Sequence, residues 1–369
     1  MDNCVIPHGY KATALGIIPQ EWEVMLLGNL SNSISSGRNK HRDAHGQYPV
    51  FGSTGIIGYS STYEYEGPVI LVARVGANAG TLNFASGQYD VSDNTLIITI
   101  KQNVYDYNFA YNQLTHYKLN KLVFGSGQPL ITSKQLKNIR IPVPPLAEQR
   151  KIAEVLGVWD KAIEKQARLI EKLALRKRAL MQRLLSAKLR LPGFSEPWKK
   201  VKLGDVAELY QPQTIQSEDL SQTGYPVYGA NGLIGYYNNY NHEYPQVVIT
   251  CRGSSCGTVN FTPGKCWITG NAMVLNVDNN RDVNKSFFYY LISNPSFVNL
   301  ISGSGQPQIV RQPLLKFELR IPPLKEQTAI AEVLTAADRE IDLAKEKLER
   351  LRRQKRGLMQ QLLTGKKRI

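Results

Sequence analysis

The pentapeptide Gly-Ser-Gly-Gln-Pro occurs twice in the 369-residue chain, at 125–129 and again at 303–307. Two glycines around a serine are the raw material of a phosphate-cradling loop, in which free backbone N–H groups face an anion. Such loops lie between a strand and a helix and run on into further glycines or a Gly-Lys-Ser/Thr ending. Neither copy has that ending, and the proline opposes an immediate helix. The nucleotide reading is set aside, and the recurrence becomes the observation to explain.

Other chemistry-bearing residues lead to the same place. Asn294-Pro295-Ser296-Phe297 is similar to the Asn-Pro-Pro-Tyr/Phe tetrad of amino-group DNA methyltransferases, but it has Ser in place of the second Pro and no glycine-rich cofactor motif precedes it. It reads as a helix turn packed in the core. His8, His41, His45, His116 and His242 make no helical pair at metal-ligand spacing. Cys251, Cys256 and Cys266 follow a C-x4-C-x9-C pattern without a fourth ligand, and Cys4 stands apart, so reduced structural cysteines are expected. There is no H-E-x-x-H, no G-x-S-x-G and no nuclease Pro-Asp with a following Asp/Glu-x-Lys. The expectation is a chain with no catalytic residues and no metal.

Charge points to a partner instead. A net charge of +15 and a pI near 9.5 call for a polyanion, with nucleic acid first among candidates; ribosomal and membrane-surface proteins share the feature. The 42% hydrophobic and 20% charged residues allow ordinary buried cores. The start MDNCVIPHGYK lacks a basic stretch followed by an apolar one, and no apolar run approaches the roughly 20 residues that span a bilayer. A cytoplasmic protein without membrane attachment is expected.

The elements that must position these residues are written twice, at an offset near 178. YPVFGSTGIIGY (48–59) returns as YPVYGANGLIGY (225–236), GTLNF (80–84) as GTVNF (257–261), and LMQRLL (180–185) as LMQQLL (358–363). A unit of half the chain, in two copies, is a duplicated module with pseudo-two-fold symmetry as its consequence. In each unit short apolar stretches between turn-rich loops read as strands: 68–74 and 95–100, then 246–250 and 272–277. Residues 107–122 and 285–301 read as helices.

The second part of each unit changes period. Ile152, Leu156, Trp159, Ile163, Gln166, Ile170, Leu173, Lys177, Leu180 and Leu184 step alternately by four and three. Ile330, Leu334, Ala337, Ile341, Ala344, Leu348, Leu351, Lys355, Leu358 and Leu362 repeat the series. A heptad seam of this length specifies a long coiled-coil helix. Pro144-Pro145 and Pro322-Pro323, with Glu148 and Glu326 in the first turn, supply the start signals. Each helix would extend about 57 Å over roughly 38 residues, and the nearest partner for its seam is the other copy, antiparallel. The polar seam positions Gln166, Lys177 and Lys355 fix the register or face a partner protein, or else snorkel at the seam's edge. Residues 147–188 carry net +6 and 325–368 net +5, and the unmixed runs at 176–178, 352–356 and 366–368 suit phosphate or an acidic partner.

Two globular modules, each followed by IPVPPLAEQRKIAEVL (141–156) or RIPPLKEQTAIAEVL (320–334), entered by W-x4-L-G (Trp22–Gly28, Trp198–Gly204) and carrying Gly-Ser-Gly-Gln-Pro loops before Ile131 and Ile309, resemble the specificity (S) subunit of type I restriction-modification systems. The resemblance covers nearly the whole chain. It implies an α+β architecture of two mixed target recognition domains, held apart by two long antiparallel coiled-coil helices. The segments would be 1–145 (first recognition domain), 146–188 (first helix, spacer and docking surface), 189–323 (second recognition domain) and 324–369 (second helix). It also implies double-stranded DNA with a bipartite site as ligand, and two methyltransferase (modification) subunits and restriction subunits as partners. S-adenosylmethionine would belong to the methyltransferase chains, and Mg and ATP to the restriction chains, leaving no cofactor here. A helix of about 57 Å exceeds the ~34–36 Å of one duplex turn, enough to hold two readers over separated half-sites.

Base readout needs donors and acceptors on exposed loops. In the first domain the candidates are Arg38, Asn39, Lys40 and Arg42, with Ser53, Thr54, Tyr59, Arg74 and Asn94 behind them, and Gln128 of the first repeated loop. In the second they are Gln211, Gln213, Asn231, Tyr236, Tyr237, Arg252, Asn271, Gln306 and Arg311. Matched positions, read as Arg74 with Arg252 and Asn94 with Asn271, fit framework or phosphate contact; mismatched loops such as 38–43 against 211–216 fit different half-sites. Gln128 and Gln306 either contact DNA or merely shape the junction with the helix. Two other classes compete: a solitary methyltransferase or nuclease, which lacks its motif, and a coiled-coil adaptor binding protein, which predicts no salt-dependent duplex affinity.

Overall fold

The apolar runs Val69–Ala73 and Thr95–Ile100 form adjacent antiparallel strands, and alternate side chains leave them in opposite directions. Ile70, Val72, Leu96 and Ile98 enter one core, whereas Val69, Leu71 and Ile97 enter another. A strand buried on both faces has no polar face to show, so its sequence reads as a continuous apolar run. Val247–Thr250 and Ala272–Asn276 repeat the arrangement, with Ile249 and Leu275 on one side and Val248 and Val274 on the other.

The computed structural model describes residues 6–40, 42–43, 45–124, 129–229, 232–294, 297–303 and 305–369. It divides into two units, Met1–Ala167 with Glu346–Ile369, and Arg168–Lys345. In the first unit the sheet order is Ser31–Ser36, Thr95–Ile100, Val69–Ala73, Leu82–Ala85, all antiparallel. A second sheet orders Gly55–Ser60, Tyr48–Gly52, Gln88–Val91 and Tyr65–Glu66, with Gln88–Val91 parallel to Tyr48–Gly52. The second unit has the same plan, Glu208–Tyr210, Ala272–Asn276, Val247–Thr250, Val259–Phe261 beside Gly232–Tyr237, Tyr225–Gly229, Trp267–Ile268. The chain is therefore α+β and internally duplicated. The helices read at 107–122 and 285–301 end earlier, at Tyr117 and Ser293, and the 3-10 turns Leu119–Leu122 and Val298–Leu300 lie within the stretches beyond.

Two helices of 39 residues each, Leu146–Leu184 and Leu324–Leu362, contribute to both units. In each unit the pairing is antiparallel. Asp160 meets Lys355 at 2.6 Å in the first, and Asp338 meets Lys177 while Glu340 meets Arg176 in the second. Along the seam Ile152, Leu156, Gln166, Leu173, Leu184, Ile330, Leu334, Ile341, Leu348 and Leu362 are buried; Trp159, Ile163, Ile170, Leu180, Leu351 and Leu358 are half-buried. The two polar seam lysines thus pair across the seam, each with an aspartate one residue beyond a seam position. Other helix cations are paired too, Arg352 with Glu349 one turn away and Arg368, just past the second helix, with Glu148 and Glu21.

The Glu-Gln that opens each long helix fastens the globular part to it. Fully buried Gln149 accepts from the Asp106 N–H at 2.9 Å and donates to the carbonyls of Val104 and Pro144, both at 2.9 Å. Gln327 repeats this with the Asn284 N–H and the carbonyls of Asp282 and Pro322. The preceding glutamates accept from the indoles of the entry motif, Trp22 to Glu148 at 3.1 Å and Trp198 to Glu326 at 3.3 Å. Arginines from just past the ends of the helices complete them, Arg368 on Glu148 at 2.6 Å and Arg190 on Glu326 at 2.6 and 2.7 Å. Gln327→Ala is expected to cost roughly 2–3 kcal/mol, because it orphans the half-buried Asn284 N–H, the buried Pro322 carbonyl and the Asp282 carbonyl together. A urea midpoint equal to that of the unaltered chain would refute the fastening role.

Candidate nucleic-acid interface

The loop after strand Ser31–Ser36 is pinned at both ends by close backbone approach. A Cβ at Gly37 would lie 2.4 Å from the Val91 carbonyl oxygen, and one at Gly46 2.5 Å from the Ser60 nitrogen. Between them Arg38, Lys40 and Arg42 are exposed, and Arg38 makes a solvent-exposed ion pair with Glu64 at 3.7 Å. Asn39 is spent differently, because its amide donates to Asp90 and its N–H to the Val91 carbonyl at 2.9 Å. It holds the loop to the sheet and does not stand free for a base.

Ser53 and Thr54 form the turn between Tyr48–Gly52 and Gly55–Ser60, and Tyr59, 48% exposed, lies on the second of these strands. In the other unit Tyr236 and Tyr237 are half-buried on Gly232–Tyr237. Gln213 is exposed, while Gln211 donates to the Gly270 carbonyl at 3.0 Å and fastens its segment to that turn. Gln306 and Asn271 are exposed. Arg311 is the first residue of the short helix Arg311–Leu315 and lines a surface recess with Asp205, Asn280 and Asp282. Gln128 and Asn231 lie outside the described residues, as do most of the first repeated loop and Ser304 of the second.

The flanks of the repeated loops are described, and they are hairpin flanks: Phe124 pairs with Leu130, and Ser302 with Gln308. Each loop leans on the turn after the central strand, with the Gly76 N–H on the Pro129 carbonyl at 3.0 Å and the Gly253 N–H on that of Pro307 at 3.1 Å. This register corrects one pairing made from sequence. The Arg74 N–H donates to the Asn94 carbonyl at 2.9 Å, and the group doing the same to Asn271 at 3.0 Å is the N–H of Cys251, not of Arg252. Arg252 is equivalent to Val75, since Val75 bridges to Leu130 as Arg252 bridges to Gln308. Asn94 and Asn271 remain a matched pair. The guanidinium of half-buried Arg74 donates to Ser36 at 3.2 Å, whereas Arg252 is exposed, so the two arginines differ in surroundings as well as position.

Among the described residues no group of three or more His, Cys, Asp or Glu side chains is disposed to hold a metal. His242 sits between the Tyr210 hydroxyl at 3.0 Å and the Asn241 side chain at 2.6 Å, and burial holds its pKa below the usual range. Cys251, Cys256 and Cys266 are free thiols, and burial pushes Cys251 up to about 11. At pH 8 its thiolate fraction is therefore about a thousandth. Iodoacetamide is expected to leave Cys251 unmodified at pH 8 in the folded chain, and peptide mapping that found it alkylated as fast as an unfolded control would contradict this. Among the described residues no helix is long and apolar enough to cross a membrane.

Sequence reasoning missed the Trp22–Glu148–Arg368 and Trp198–Glu326–Arg190 clasps, although the signal was present. W-x4-L-G, P-P-L-x-E-Q and the Lys-x-Arg of SAKLR (186–190) and TGKKR (364–368) each occur twice, and only the fold shows that they meet.

The family model for the type I restriction modification DNA specificity domain matches residues 19–174 and again 195–353. The chain is 24% identical to the type I restriction enzyme MjaVIII specificity subunit of Methanocaldococcus jannaschii, over 95% of this chain and 94% of that one. Its fold is similar to the crystal structure of the type I restriction-modification system S subunit from M. genitalium, with TM-score 0.66, 19% identity and coverage of 93% and 96%. It is also similar, at TM-score 0.57 and 19% identity over 94% and 99%, to a chain from a structural account of complex assembly and conformational transition of the type I R-M system. Two copies of one domain, each closed onto the start of one long helix and the end of the other, identify the chain as a member of the type I restriction-modification specificity subunit family.

Proposed function

We propose that this chain reads a bipartite duplex site, one unit per half-site, and carries no catalytic centre. The long helices dock two methyltransferase subunits and, through them, restriction subunits. S-adenosylmethionine is then bound by the methyltransferase chains, and Mg and ATP by the restriction chains, in the cytoplasm. One observation supports this above the rest: two units with one backbone plan carry unlike loops at one place. Residues 37–46 present three exposed cations, while 211–220 present glutamines, Glu218 and Asp219. Like scaffolds with unlike loops are what two different half-sites require, because phosphate contacts fix position and loop side chains specify bases. An adaptor that binds only protein has no need of paired cationic and amide-rich loops.

The test is an exchange of residues 37–46 for the equivalent loop of another specificity subunit, followed by a map of modified bases in the host genome. One half of the methylated motif is expected to change while the other half and the spacer stay. A change in both halves would refute the assignment of one unit to one half-site. A chain that methylates on its own would refute the non-catalytic reading.

A further inference from the structure

The hairpins Tyr48–Ser60 and Tyr225–Tyr237 share an unusual surface. In each, one aliphatic side chain of the Gly-x-x-Gly stretch lies back over a glycine of the first strand: a Cβ at Gly52 would meet Ile57 at 2.6 Å, and one at Gly229 would meet Ile234 at 3.1 Å. The neighbouring aliphatic is the more exposed of the two, Ile56 at 53% beside half-buried Ile57 and Leu233 at 49% beside Ile234 at 43%. A single exposed aliphatic residue needs no explanation. The same exposure at equivalent points of two hairpins, whose remaining sequence keeps its strand pairing and its bulge, does.

The second glycine of each stretch carries the difference between the units. The stem of Arg42 lies across Gly58, 3.0 Å from where its Cβ would be, and Leu220 lies across Gly235 at 3.4 Å. These two residues are equivalent, because the following N–H groups, of Asp43 and Ser221, donate to the Tyr59 and Tyr236 carbonyls at 2.8 Å each. One hairpin is therefore capped by a cation and the other by a hydrocarbon.

We infer that these hairpins are the base-reading fingers of the two units: Ile56 and Leu233 each pack on the C5 methyl of a thymine, and Arg42 against Leu220 makes the two half-sites differ. This deepens the proposed function and rests on it. Apolar side chains discriminate A·T pairs in the major groove through the thymine methyl, and an arginine beside one adds a fork for guanine or phosphate. A two-stranded ribbon fits that groove. A protein partner is the competing occupant, but a cation on one finger and a leucine on the other suits two unlike half-sites better than two copies of one partner subunit.

The experiment replaces the chain in its native host by Ile56→Ser, Leu233→Ser, Arg42→Leu and Leu220→Arg in turn and maps modified bases. The wild-type motif is expected to hold an A·T pair in each half. Ile56→Ser should relax that pair in one half, raising modification at sites with another base there about ten-fold, and Leu233→Ser should do so in the other half. Arg42→Leu should alter the half that Ile56→Ser alters, and Leu220→Arg the half that Leu233→Ser alters. An unchanged motif in all four variants, with wild type giving a bipartite motif, overturns the inference and spares the proposed function. Absence of any bipartite motif for wild type overturns both. Loss of all modification while the purified full-length variants keep wild-type duplex affinity and thermal midpoint assigns the hairpins to a protein partner and overturns the inference. Should a serine variant fail to fold, Ile56→Val and Leu233→Val carry the same expectation in smaller degree.

Discussion

Between about 50 mM and 200 mM salt the affinity of the full chain for duplex carrying its target is expected to fall by about 10³–10⁵. Such a fall corresponds to six to ten phosphates neutralised, with counterions released from each. The chain has the charge for it, +15 in all, but the location of that charge matters. Several cations on or just past the long helices are bound to acids, Arg176, Lys177, Lys355 and Arg368 among them, so they are poor candidates for phosphate contact. Arg38, Lys40, Arg42 and Arg252 are exposed on the globular parts, and among the described residues Arg38 alone of them shows an ion pair, a long one. Charge reversal at Lys40 should therefore flatten the salt slope by about one, uniformly across sequences, if it meets a phosphate. A binding titration with no salt dependence would sink the reader and favour the adaptor.

The second large effect lies in the clasp. Arg190→Ala is expected to destabilise the unit Arg168–Lys345 by about 3–5 kcal/mol, because it strands the Glu326 carboxylate, 1% exposed, with the Trp198 indole as its one remaining side-chain donor among the described residues. Arg190 forks onto both carboxylate oxygens and lies 5.9 Å from the Trp198 ring centre, so lysine cannot replace it fully. In the other unit Arg368 is 41% exposed and divides its bonds between Glu148 and Glu21. Solvent screens that pair, and Arg368→Ala should cost roughly 1–2 kcal/mol. Urea denaturation of the full-length variants, followed by hydrogen exchange to assign the loss to a unit, measures both. Equal costs in the two units would refute the burial argument.

Arg74 and Arg252 align by eye in two similar stretches, yet the ladder shifts them by one residue, and in extended chain one residue reverses the face a side chain meets. Asn39 and Gln211 have the residue type of base readers, but each is bonded inside the protein, to Asp90 and to Gly270. Residue type states what a group is able to donate; only the fold states whether it already has.

By itself, the sequence determined the duplication, the two long helices with their seams, the buried central strands and the family. These are carried by periodicity and repetition, which act between near neighbours or between copies. The tertiary structure alone decided that Glu148 and Glu326 gather a tryptophan and an arginine from distant segments, that Lys355 and Lys177 pair across the seam, and that Arg42 and Leu220 cap equivalent hairpins. Such contacts, whether some fifteen positions apart as at the hairpins or more than a hundred as in the clasps and the seam, leave no period in the chain, because their distance is set by packing and not by spacing along the backbone.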